Sequence, residues 1–172
     1  AVGTWSSLTN FQKHEEPFFN TRLREASDGN IVGKIQSQSG LGLKGFEIMR
    51  LVKNGVFDFA FGLPGYVAAE NAIFEGADLS TLTQDIDTQR KVSDAYYPTL
   101  EKSFADIYNA KLLMLYPFPS QTLWCNGEVN GIEDLKGKKI RVYSTTLGDF
   151  VEGVGGTSVT VSFSEVIPAL EK

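Results

Sequence analysis

Strand-like runs with a period of two take turns with runs at helical spacing along the whole chain. That alternation admits few architectures, and the one it favours is an α/β protein with a largely parallel sheet. Strands are expected at Val2–Trp5, Ile31–Gln38, Val56–Phe61, Leu112–Tyr116, Lys139–Tyr143 and Val159–Val161, with a further extended stretch at Gln121–Asn126. Helices are expected at Pro17–Ala26, Gly45–Asn54, Asp85–Tyr97, Thr99–Tyr108, around Phe150–Val154, and at Phe163–Leu170. Pro98 is expected to break the long helical pattern in two, because an interior proline removes a hydrogen bond and crowds the preceding turn. "YPFPS" at 116–120 reads as a crossing between two lobes, residues 1–117 and 118–172.

The composition fits a soluble globular chain: 172 residues, 42% hydrophobic and 22% charged. No apolar run approaches the ~18 residues of a membrane span. The net charge of −5 argues against nucleic acid, whose phosphates need a basic face, and against an anionic membrane surface. Cys125 is the sole cysteine, so neither an internal disulfide nor a cysteine zinc site is available. His14 is the sole histidine, which removes the usual multi-histidine metal sites and makes Ser-His-Asp chemistry improbable. The start, "AVGTW", has no basic n-region or apolar h-region, so any signal peptide is expected to have been removed already.

"GLGLKG" at 40–45 satisfies the G-x-G-x-x-G spacing of a dinucleotide loop. Its surroundings argue otherwise. The preceding strand carries Lys34, Gln36 and Gln38, whereas a central Rossmann strand is buried on both faces. Asp58 lies near the start of the next strand, not at its end, where it would meet a ribose. A turn before a short helix is expected there. His14, Glu15 and Glu16 are adjacent and share no helix face, so a solvated helix start is expected. Cys125 is expected to be a buried thiol packed as a small hydrophobe.

Arg141 is the residue with chemistry to explain. In "LKGKKIRVYSTT" (135–146), alternation puts Ile140 and Val142 on one strand face, and Arg141 and Tyr143 on the other. Ser144 and Thr145 follow and can cap a helix. A guanidinium is thus set at the carboxyl end of a strand, beside a helix N-terminus. Open α/β sheets bind ligands there, and helix termini favour anions. The residues alone leave two partners open: an internal acid or a ligand.

Three separated motifs, "LVKNGVFDFAFG" (51–62), "IEDLKGKKIRV" (132–142) and "VTVSFSEVIPALEK" (159–172), together with "REASDGN" (24–30), resemble the solute-binding proteins of TRAP transporters, the DctP-like family. The resemblance implies a periplasmic-binding-protein-like two-lobe α/β fold of the class II type. Family members are longer, so the chain is expected to be a fragment with its second lobe incomplete. It also implies a periplasmic receptor that closes by hinge motion on a small organic acid and delivers it to the transporter's membrane subunits. The resemblance implies no catalysis, cofactor or metal. A sheet missing strands leaves open edges, so a fragment of this kind is expected to dimerise, swap segments or bind nothing.

In that family the arginine of the D-L-K-G-x-K-I-R-V run pairs with the ligand carboxylate, which makes Arg141 the implied anchor. Its rigid fork suits a carboxylate's two oxygens. Other ligand contacts carried over are Trp5, Ser6, Tyr66, Gln121, Ser144 and Phe163. Some members have a second arginine where Gln121 stands, and sialic-acid-type members have polar residues where Trp5 and Leu63 stand. The implied ligand is therefore a weakly hydroxylated carboxylate, such as a 2-oxo acid or an aromatic acid. Two other readings stay open from sequence: a nucleotide-dependent α/β enzyme using the 40–45 loop, and a sensor lobe of the same binding fold.

Overall fold

The computed structural model describes residues 1–171. In chain order its regular elements are β1 (Val2–Gly3), a helical stretch over 9–26 that ends in α1 (Leu23–Ala26), β2 (Gln36–Ser37), α2 (Ile48–Lys53), α3 (Ile86–Tyr108), β3 (Lys139–Val142), α4 (Thr145–Gly153), β4 (Thr157–Thr160) and α5 (Val166–Leu170). Both strand pairs, β1 with β2 and β3 with β4, are parallel. Each is joined through a helix, as parallel neighbours require. Among the described residues no helix is long and apolar enough to cross a membrane.

The chain divides into two compact units, one of Ala1–Tyr66 with the chain from Ser162 on, the other of Val67–Val161. Their bounds lie elsewhere than the 117/118 division expected from sequence. In the first unit β1 is central. Val2 and Gly3 align with Gln36 and Ser37, and Val2 forms a parallel bridge to Ala60. The helical stretch lays Phe11, Glu15 and Phe19 along one stripe, four residues apart. Phe11 and Phe19 form a buried cluster with Ile35, and Phe59 and Phe61 meet the Phe19 ring edge-on at 5.6 and 6.2 Å.

In the second unit β3 and β4 run in register from Lys139↔Thr157 to Val142↔Thr160, with α4 as the crossover. Val142 and Val151 are buried between sheet and helix. α3 starts at Asp85, whose carboxylate accepts from the Thr88 N–H at 2.8 Å. Its buried side carries Leu100, Phe104 and Tyr108, and Phe74 packs on the two rings at 4.8 and 5.4 Å.

Several expectations are corrected. α3 is one helix through Pro98, not two. The proline forfeits a single backbone donor, while the buried stripe on its C-terminal side holds the helix together. Ile31–Gln38 and Val56–Phe61 shrink to β2 and the bridge at Ala60, and Val32 is 74% exposed. Val2–Trp5 shortens to β1. Leu112–Tyr116 is neither buried nor a strand, and Gln121–Asn126 is exposed throughout. Among the described residues no strand pairs with these segments; Trp124 is 88% exposed and the Cys125 thiol is at the surface, donating to the Gly127 carbonyl at 3.2 Å. Glu15 is not solvated. The helical stretch starts at residue 9, so Glu15 faces inward, taking the Thr4 N–H at 2.7 Å and the Thr4 hydroxyl at 2.9 Å.

Candidate functional site

Val142 is buried while Arg141 is half-buried on the other face. The Arg141 Nε–H donates to the Val161 carbonyl at 2.9 Å. Its guanidinium carbon lies 5.5 Å from the centre of the Tyr143 ring, within range of a cation–π contact. Among the described residues no carboxylate forms an ion pair with Arg141. The charge is therefore held in place by neutral groups, with its terminal Nη groups left over for an anion.

Acids stand near by on other partners. The Tyr143 hydroxyl points at Asp78 Oδ2, 3.5 Å away. Burial pushes the Tyr143 phenol up to about 12, and the negative charges of Asp78 and Glu75 add to the rise, against the opposing pull of Arg141. Burial of the Asp78 carboxyl, then the charge of Glu75, raise Asp78 above its ordinary value.

Ser144 stands at the N-cap of α4, as its position suggested, but its side chain makes no capping bond. The capping is done by buried Glu75, one carboxylate oxygen of which accepts the Thr146 N–H at 3.0 Å and the Thr146 hydroxyl at 2.8 Å. Ser80 joins the group, its N–H donating to Thr146 Oγ1 at 3.2 Å. Glu75 is far from this helix in sequence, and no local signal marks it. Gln121 is exposed in the irregular segment that follows α3.

In the first unit, three of the expected positions come together. The rings of Trp5 and Phe163 lie 4.9 Å apart, and Tyr66 meets Trp5 edge-on at 6.3 Å. The Phe163 N–H donates to the Tyr66 hydroxyl at 3.1 Å, and Phe46 stacks on Tyr66 at 4.3 Å. Trp5 and Tyr66 are buried, whereas Phe163 is 43% exposed. Ser6 is exposed, with its hydroxyl 2.9 Å from that of Ser39.

Gln38 was not among the expected site residues. It was read onto a polar strand face, yet it is 1% exposed, and its amide nitrogen donates to the Phe61 carbonyl at 2.9 Å. That bond fixes the amide so that Oε1 is the atom left over. Two buried side-chain polar atoms lack a hydrogen-bond partner among the described residues: Gln38 Oε1, an acceptor, and Trp5 Nε1, a donor. Native structures rarely leave such atoms orphaned, and each calls for an explanation. A sequence signal existed, since Ser37 and Gln38 are adjacent polar residues at the end of an otherwise alternating strand.

The 40–45 loop has a structural account. Gly42 and Gly45 have φ of +68° and +105°, and a Cβ on Gly45 would fall 2.5 Å from the Tyr66 ring. The helix that follows, α2, is six residues long. The loop is shaped to seat Tyr66.

The family described as bacterial extracellular solute-binding protein, family 7 (DctP) matches residues 2–172. A comparison with curated proteins found no match. Among solved structures, the chain is similar to a Bordetella pertussis extracytoplasmic solute receptor binding pyroglutamic acid, with a TM-score of 0.87 and 26% identity, over 99% of this chain and 56% of that one. A second pyroglutamic acid receptor of the same organism gives 0.85 and 26% over the same shares. A TRAP periplasmic solute binding protein from Desulfovibrio salexigens, with bound orotic acid, gives 0.82 and 20%, over 98% of this chain and 55% of that one. The fold is thus the α/β periplasmic-binding-protein-like one expected from sequence, and the chain spans just over half the length of these receptors.

Proposed function

The chain belongs to family 7 of the bacterial extracellular solute-binding proteins, and on that premise we propose that the full-length protein is a periplasmic receptor of a TRAP-type transporter. It binds a small organic acid and delivers it to the membrane subunits without making or breaking a covalent bond. The observation that carries the reading is Arg141. Its guanidinium is half-buried and tethered by one neutral acceptor, with no acid of the described chain paired to it. A half-buried cation without an anion is costly, and a ligand carboxylate relieves that cost.

The acid we favour is small and weakly hydroxylated, with pyroglutamate as the first probe. Two receptors 26% identical to this chain bind pyroglutamic acid. The buried surplus donor of Trp5 and surplus acceptor of Gln38 suit a guest that carries both an acceptor and a donor, as a lactam does. Trp5, Ser6, Tyr66, Gln121, Ser144 and Phe163 are the other proposed contacts.

The test is to denature the purified full-length protein and identify the released small molecules by mass spectrometry. A small carboxylate in near-stoichiometric amount is expected. A nucleotide in its place would return the enzyme reading and displace this one.

A further inference from the structure

We propose that Tyr143 is a positioning residue for Arg141. With the Val161 carbonyl, it fixes the guanidinium so that an acid is met by the Nη1–Nη2 edge, and it thereby sets the preference for a carboxylate over a neutral amide. The inference rests on the reading of Arg141 as a carboxylate anchor.

A guanidinium offers a carboxylate two good bidentate edges, one formed by Nε with a terminal nitrogen and one by the two terminal nitrogens. The first edge is engaged here, because Nε–H donates to the Val161 carbonyl at 2.9 Å. That carbonyl belongs to a well-anchored residue. The Val161 N–H donates to the Val142 carbonyl at 3.1 Å, which extends the ladder of β3 and β4 by one more bond. The terminal edge is what remains.

One hydrogen bond at Nε leaves the plane of the fork free to tilt. The Tyr143 ring, one residue past the end of β3, supplies a second restraint, 5.5 Å from Cζ. The ring is itself held, with its hydroxyl 3.5 Å from Asp78 Oδ2. The phenol stays neutral up to about pH 12, so it remains a donor to that carboxylate under ordinary conditions. A fork held on two sides loses less freedom when it binds, and preorganisation of this kind raises affinity without adding a contact. The gain is selective. A carboxylate accepts from both terminal nitrogens with its two oxygens, whereas a carboxamide turns an N–H toward one of them.

The experiment is calorimetric titration of the full-length protein with pyroglutamate and with its neutral carboxamide, for the native sequence, Tyr143→Phe and Tyr143→Leu. Tyr143→Phe, which keeps the ring, is expected to preserve the acid-to-amide ratio within about threefold. Tyr143→Leu is expected to lower that ratio by about tenfold, chiefly by weakening the acid. An unchanged ratio in Tyr143→Leu overturns the inference, whether both ligands weaken together or neither does. If the native protein takes the acid but Arg141→Ala leaves its affinity intact, the anchor reading falls and this inference with it. A crystal structure of the acid complex tests the same point without a variant. Both carboxylate oxygens are expected on Nη1 and Nη2. Contact through Nε, with the Val161 bond broken, overturns the proposal.

Discussion

Glu75 accepts both the N–H and the hydroxyl of Thr146, at 3.0 and 2.8 Å, so the first turn of α4 is closed by a buried carboxylate from a distant segment. The arrangement satisfies an orphan donor and sets a negative charge at the positive end of the helix. Glu75→Ala is expected to destabilise the fold by about 1–3 kcal/mol, through the lost bonds and the donors left buried without a partner. Urea denaturation checks this; a midpoint equal to that of the native sequence would show that α4 is capped in some other way.

Asp78 carries the opposite sign. Burial of its carboxyl and the charge of Glu75 raise its pKa in the folded protein above the unfolded value, near 3.8. The folded state therefore binds this proton more tightly than the unfolded state, and ionised Asp78 costs stability at pH 7. Asp78→Asn is expected to raise the Tm at pH 7. The gain should shrink to nothing as the pH falls below the unfolded value, where the carboxyl is protonated in both states. Thermal melts between pH 7 and pH 3 measure it, and a gain that grows toward acid would contradict the assignment.

Pro98 sits inside α3 without ending it. An interior proline lacks the N–H that would reach four residues back, at a cost of up to about 3 kcal/mol relative to alanine. Pro98→Ala should raise stability by about 1–3 kcal/mol in chemical denaturation, the lower end holding where the helix has adapted to the ring. A loss of stability would mean that the proline fixes a bend on which the packing of Leu100 and Phe104 depends.

Cys125 is exposed, and its thiol donates to the Gly127 carbonyl. A water-soluble thiol reagent should modify one thiol per chain in the native protein, without denaturant. Protection until unfolding would return Cys125 to the interior position that alternation alone suggested.

Local chemistry made some of this legible and distant contacts hid the rest. Lys139–Tyr143 announced itself because Ile140 and Val142 alternate with Arg141 in a run that ends at helix-capping residues, and the structure keeps the strand over Lys139–Val142 with Val142 buried. The parallel α/β class followed from strands and helices taking turns. Leu112–Tyr116 has the composition of a buried strand, but burial needs a neighbour, and sequence does not say whether one arrives. Glu15 was misjudged by one helix boundary, since a start at residue 9 instead of 17 turns it onto the stripe of Phe11 and Phe19. At the candidate site the pattern located Arg141 and the aromatic positions Trp5, Tyr66 and Phe163. It missed Gln38 and Glu75, whose roles come from the residues that reach them through space, Phe61 for one and Thr146 for the other.

The central claim is that Arg141 holds the carboxylate of a small acid. Calorimetric titration of pyroglutamate into the full-length protein and its Arg141→Ala variant tests it most directly. Removal of the guanidinium is expected to weaken binding by about 2–5 kcal/mol, roughly thirtyfold to several-thousandfold. Equal affinity in the two proteins would contradict the account.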